Sequence, residues 1–160
     1  MESSPFEQLR HFFLSHPAAQ KATKPLSNRA CVNVEFISSS LLEIKQCHFI
    51  KEKDSVSLQP QFHEKPDFTL RMTPQAVNII TQLNTDNVGE FGIVFFGRVI
   101  SQNSEDKVEI KINSGFLNLI TKNYIGVLAV GGPSVMAWLA RKGVSGIGTI
   151  KAVIKKLAGS

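Results

Sequence analysis

Four histidines and two cysteines are the residues of this 160-residue chain best suited to proton transfer, metal ligation or nucleophilic attack, and their spacing supports none of these. His11, His16, His48 and His63 fall on a predicted helix, a loop, a strand and a polar connection, and no nucleophile motif such as GxSxG accompanies them. Each reads as a structural or surface histidine. Cys31 and Cys47 lie in apolar, strand-like segments, form no CxxC pair and have no His at a metal-ligand spacing. They are expected to be reduced, buried thiols of a cytosolic protein. No Gly-rich turn precedes a P-loop lysine, and no strand-GxGxxG-helix fingerprint occurs. No enzyme activity, cofactor or metal is therefore expected.

Two glycine segments could meet an anion. Gly131-Gly132-Pro133-Ser134 follows an apolar run and could present N–H groups at a helix start, although a plain turn explains it as well. Val144-Ser-Gly-Ile-Gly148 with Ala152 resembles the hairpin of helix-hairpin-helix DNA-binding motifs, and Arg141, Lys142, Lys151, Lys155 and Lys156 surround it. Phosphate binding would follow from such an arrangement. However, Ile150 stands where that motif is usually polar, and Lys155 where it is usually apolar. Charge is unevenly placed in the same direction. Residues 1–106 carry ten Lys/Arg against twelve Asp/Glu, whereas residues 107–160 carry eight against Glu109 alone. The basic surface thus belongs to the C-terminal third, where it could serve solubility, an anionic membrane or nucleic acid.

The secondary structure that carries these residues is organised around residues 66–100. Phe68-Thr-Leu-Arg-Met72 alternates apolar and polar as a strand does, and Thr73-Pro74 is a helix start, with Thr as the cap and Pro where no N–H is needed. Ala76, Val77, Ile79, Ile80 and Leu83 then mark a helix that is apolar over more than half its circumference. Glu90 to Ile100 is predicted as a long strand, with Phe91, Ile93, Phe95 and Val99 on one face and Val94, Phe96 and Ile100 on the other. Such a strand must be covered on both faces. Before this unit, residues 4–15 read as a short amphipathic helix ended by His16-Pro17, and the stretch to Arg29 as a loop with one helical turn at most. Cys31–Ile37, residues 41–50 and Ser55–Gln59 read as an antiparallel meander, with Lys51-Glu-Lys-Asp54 as a charged turn. After the unit come a hairpin turn at 102–106, a strand at 106–113, a helix at 114–122, an apolar strand at 124–130 and a helix from Gly131 to Arg141. Gly143, Gly146 and Gly148 break the chain before a last basic helix.

An internal comparison shows a repeat. Phe68-Thr-Leu-Arg-Met-Thr73 matches Val108-Glu-Ile-Lys-Ile-Asn113 at an offset of forty residues, Val77-Asn-Ile-Ile-Thr81 matches Leu117-Asn-Leu-Ile-Thr121, and Gly92–Gly97 resembles Gly126–Gly131. A strand-cap-helix-strand unit is expected twice, either by duplication or because amphipathic patterns of this kind converge by chance.

The order Cys31–Ile37, Leu41–Ile50, Ser55–Gln59 and then Lys65-Pro-Asp-Phe-Thr-Leu-Arg-Met-Thr-Pro-Gln-Ala-Val77 resembles the sterol carrier protein type 2 family. Phe95-Phe96-Gly97-Arg98-Val99 looks like that family's aromatic strand ending in Gly-Lys/Arg, and the resemblance covers residues 30–100. Beyond it, residues 106–123 add a strand and a helix to the usual pattern. The resemblance implies an α+β domain whose antiparallel sheet, mixed at the edge, is covered by helices enclosing an apolar cavity. It implies binding of sterols, fatty acids or acyl-CoA without chemistry on them. Eleven Phe and the apolar faces agree with such a pocket, and also with a dry core.

One domain is expected over 1–160: an N-terminal helix and loop at 1–29, a core at 30–142 and a basic amphipathic helix at 143–160. Candidate lipid-binding residues are Ile79, Leu83, Phe91, Ile93, Phe95, Phe116, Ile120, Met136 and Leu139. Lys151, Lys155 and Lys156 could lay the last helix on an anionic membrane surface. The expected partner is a lipid or other apolar small molecule; a nucleic-acid-binding protein and a protein-interaction module are the alternatives. No run of apolar residues is long enough to span a membrane. With no signal peptide or peroxisomal address in view, a cytoplasmic location is expected.

Overall fold

The computed structural model describes residues 3–37, 43–99, 101–130, 137, 138 and 141. Eleven elements follow one another in it: α1 (Pro5–Ser15), α2 (Pro17–Thr23), β1 (Cys31–Phe36), β2 (Gln46–Glu52), β3 (Ser55–Gln59), β4 (Phe68–Met72), α3 (Pro74–Thr81), α4 (Val88–Val99), β5 (Val108–Ile112), α5 (Phe116–Thr121) and α6 (Tyr124–Val130). Helix starts are set by local chemistry. Ser4 Oγ accepts the Glu7 N–H (3.2 Å) ahead of Pro5, and Thr73 Oγ1 accepts the Ala76 N–H (3.1 Å) ahead of Pro74. His16 ends α1 by donating its N–H to the Phe12 carbonyl and starts α2 by accepting the Ala18 N–H on Nδ1 (3.1 Å). With Nδ1 an acceptor, Nε2 carries the proton and donates to the Leu83 carbonyl (2.8 Å), which ties α1 and α2 to the end of α3. The stretch expected to be mostly loop is therefore two turns of helix, capped by a histidine.

The class is α+β, as expected. The five strands form one mixed sheet in the order β3-β2-β1-β4-β5. The β1-β2-β3 meander is antiparallel, and its two-residue turn places Lys53 at φ 56°. The parallel pair, β1 with β4, lies at the centre of the sheet rather than at its edge. β5 pairs antiparallel with β4, so residues 102–106 join a helix to a strand and are not a hairpin turn.

Register sorts the two faces cleanly. Val32, Val34, Phe49, Phe68, Leu70 and Met72 share one face with Leu58, Val108, Ile110 and Ile112, because paired residues point the same way. The opposite face is polar. There Arg71 bridges Glu35 (3.3 Å) and Glu109 (3.0 Å) across three strands, and Asn33 pairs with the His63 backbone in both directions. One apolar and one polar face is the ordinary pattern of a sheet covered on a single side.

Two predicted strands are helices. Residues 88–99 form α4 and residues 124–130 form α6. Runs that are apolar all round satisfy a helix between a sheet and other helices as well as they satisfy a strand covered on both faces. In α4 the decisive local feature is Asn87, whose Oδ1 accepts the Glu90 N–H (3.2 Å) as an N-cap does. In α6 it is Asn123, whose φ of 63° closes α5 with a left-handed residue. Its side chain donates to the Pro25 carbonyl (2.8 Å) and lies where a Cβ on Gly126 would stand, 2.6 Å away, so Gly126 leaves room for the corner. The repeat is accordingly strand-helix-helix in both copies, β4-α3-α4 and β5-α5-α6. The Phe95–Val99 segment, read as a family-like strand, lies in α4.

Candidate functional site: an apolar cavity under the helices

A partly open cavity of about 230 Å³ lies between the apolar face of the sheet and the helices. Its floor is Val32, Val34, Phe49, Leu70 and Met72, on β1, β2 and β4. From α1 come Leu9 and Phe13, from α2 Ala22 and Thr23, and from α3 Ile80. Helix α4 supplies Val88, Phe91, Gly92, Phe95 and Phe96, a stripe at i, i+3, i+4, i+7 and i+8 that a helix turns to one side. Leu26, Tyr124 and Val127 close the wall.

Of the residues proposed from sequence, Phe91 and Phe95 stand in this wall. Ile79, Leu83 and Ile93 do not, and the reason is geometric. On α3 it is Ile80 rather than Ile79 that turns inward, and in a helix Ile93 leaves the face that a strand of period 2 would have given it. Leu83 lies beyond the end of α3, where its carbonyl serves His16. Phe116 and Ile120 belong to α5, and their side chains lie outside what the structure describes. Met136, Leu139, Lys151, Lys155 and Lys156, with the Gly131 and Val144 segments, also lie outside the described residues.

The wall is almost wholly apolar, and its two hydroxyls are committed elsewhere. Thr23 Oγ1 donates to the Ala19 carbonyl (2.9 Å). Tyr124 donates its hydroxyl to Asp67 Oδ2 (2.7 Å), and burial first, then this bond, pushes its phenol well above the usual range. Asp67 is 1% exposed, yet its two oxygens accept four groups: the Cys31 N–H (2.9 Å), the Tyr124 hydroxyl, the Asn118 amide (2.7 Å) and the Lys122 ammonium (2.8 Å). A buried charge so fully bonded anchors structure. It fixes the start of β4 to the α5–α6 corner, and so fixes the Tyr124 side of the cavity. Beside it the Cys31 thiol is pushed up to about 11, by burial and then by the Asp67 carboxylate.

Lys51, expected in a charged turn, belongs instead to β2. It is 4% exposed at the end of β2, and its ammonium donates to the Thr23 carbonyl (2.9 Å), capping α2. Asp67 and Lys51 carried no local signal, because their partners lie tens of residues away. Among the described residues, no three His, Cys, Asp or Glu side chains converge as metal ligands would. No helix of the described residues is long and apolar enough to cross a membrane.

No family model matches the chain, and no curated protein matches it. It is similar to a solved structure, the UbiJ-SCP2 ubiquinone synthesis protein, at 11% identity over 78% of this chain and 90% of that one, with a TM-score of 0.41.

Proposed function

We propose that this chain binds an apolar small molecule, a lipid chain foremost, in the cavity between sheet and helices, and carries it without performing chemistry on it. The observation behind this reading is a cavity of about 230 Å³ whose wall offers apolar carbon and two hydroxyls already engaged. An apolar cavity of roughly 150 Å³ stays dry and takes a benzene-sized guest. One of 230 Å³ accommodates a longer apolar group, yet lies below the roughly 300–1,000 Å³ typical of pockets for drug-sized ligands. A single chain fits that volume better than the fused rings of a sterol. The resemblance of residues 65–77 to the sterol carrier protein type 2 pattern points the same way. The acid, base and nucleophile needed for catalysis are not supplied by Thr23 and Tyr124, which hold structure.

Native mass spectrometry of the purified chain, before and after organic extraction and then with added decanol, tests the reading. A mass that extraction removes, or a one-to-one decanol adduct, is expected. The adduct should be lost in Ala22→Phe, which fills the cavity from α2. An unchanged bare mass in every condition would overturn it, as would equal decanol binding by the filled variant.

A further inference from the structure

β5 is an edge strand, and among the described residues nothing pairs with its outer side. The phase of its ladder shows which groups stand free. Asn113 donates its N–H to the Asp67 carbonyl (2.9 Å) and Thr73 donates to the Lys107 carbonyl (3.5 Å), so the odd-numbered residues of the strand bond β4. The N–H and C=O groups of Val108, Ile110 and Ile112 therefore point outward. Edge strands are ordinarily closed by Pro, by a bulge or by unmatched charge. None of these intervenes here: residues 108–112 hold no Pro, their register with β4 is unbroken, and their two charges, Glu109 and Lys111, are opposite in sign. The other edge, β3, runs directly into Pro60 and has α1 packed against it.

We propose that β5 pairs with the β5 of a second copy of this chain, antiparallel and about a two-fold axis at Ile110, joining two five-stranded sheets into one. Charge and hydrogen-bond phase select that register. About Ile110, Val108 meets the partner's Ile112 and Ile110 meets the partner's Ile110, all with outward N–H groups, while Glu109 meets the partner's Lys111. A slip of one residue sets outward groups against inward ones. A slip of two sets Glu109 against the partner's Glu109, or Lys111 against the partner's Lys111, and like charges directly opposite are destabilising. In the favoured register the apolar faces of both sheets lie on the same side, so the half-buried Ile110 and Ile112 gain cover from their equivalents. On the polar face the ladder Glu35–Arg71–Glu109 (3.3 and 3.0 Å) continues into the partner's Lys111, an exposed side chain with no ionic partner of its own among the described residues. The pairing is independent of what the cavity holds.

Sedimentation equilibrium of the full chain, from micromolar to millimolar, tests it. A reversible dimer of twice 17.6 kDa is expected. Lys111→Glu alters an exposed side chain, keeps the Arg71 bridge and sets like charges opposite each other on both sides of the axis; it should weaken the dimer about tenfold. Glu109→Lys should weaken it likewise. Mixed, the two variants should form a heterodimer tighter than either variant's own dimer, because each Glu then meets a Lys. Should Glu109→Lys, which gives up its bond to Arg71, fail to fold, Lys111→Glu decides alone. A wild-type chain monomeric at every concentration would overturn the pairing and leave this edge to some other strand. A dimer untouched by Lys111→Glu, or two folded variants that do not associate when mixed, would overturn it as well.

Discussion

Asp67 and Lys122 meet at 2.8 Å across fifty-five residues of chain, the carboxylate 1% and the lysine side chain 18% exposed. The pair joins the residue before β4 to the end of α5, and Tyr124, two residues further on, bonds the same carboxylate. The helical wall of the cavity is thereby held to the centre of the sheet by a polar bond set, beside which the Tyr124 ring packs edge-on against Phe68 of β4 at 4.8 Å.

Removing the carboxylate should be far more damaging than removing the lysine. Asp67→Ala leaves the Tyr124 hydroxyl, the Asn118 amide, the Cys31 N–H and a mostly buried ammonium without their acceptor, and should cost about 3–5 kcal/mol in urea unfolding. Lys122→Met keeps three donors on Asp67 and should cost clearly less. Equal losses in the two variants would show that the ion pair alone carries the anchor.

Asn87 should behave as a helix cap. Asn87→Ala should lower stability by about 1 kcal/mol, with a loss of helical circular dichroism, while Asn87→Asp should be close to neutral. A silent Asn87→Ala would mean that α4 does not begin where its hydrogen bonds place it.

The buried thiols set an alkaline limit. Burial pushes Cys47 up to about 12 from an ordinary 9.0, and burial with Asp67 pushes Cys31 up to about 11. Both folded values lie above the unfolded one, so the folded chain holds protons that the unfolded chain has lost. Their contribution to stability is complete below pH 9.0 and disappears as pH rises through 11 and 12. Stability should therefore fall above pH 9, and less steeply in Cys47→Ala. At pH 8 neither thiol should react with Ellman's reagent until the protein unfolds. Rapid labelling of folded protein would refute the burial of both.

Legibility along the chain followed the reach of the forces involved. Ser4-Pro5 and Thr73-Pro74 announced their helices because a cap acts within three residues. Cys31–Phe36 and Phe68–Met72 announced strands because alternate residues met water and core. At 88–99 alternation and helical stripe were both compatible with the run of Phe, Val and Ile, and the glycines at 89, 92 and 97 argued against helix. The pairing of Asn87 with Glu90 three residues on was the readable clue. With the segment helical, Ile93 lies outside the cavity wall and Val88, Gly92 and Phe96 stand in it.

By itself, the sequence determined the meander, the helix starts at Pro5 and Pro74, the likeness of β4-α3 to β5-α5, and an excess of apolar surface that had to be buried somewhere. Each depends on neighbours within a few residues, or on composition. Tertiary structure alone decided that β4 lies parallel to β1 at the sheet's centre, that Asp67 collects donors from three segments, and that the helices leave a cavity. These depend on contacts between residues distant in the chain. Local preference leaves such contacts undetermined until the whole apolar face of the sheet has been covered.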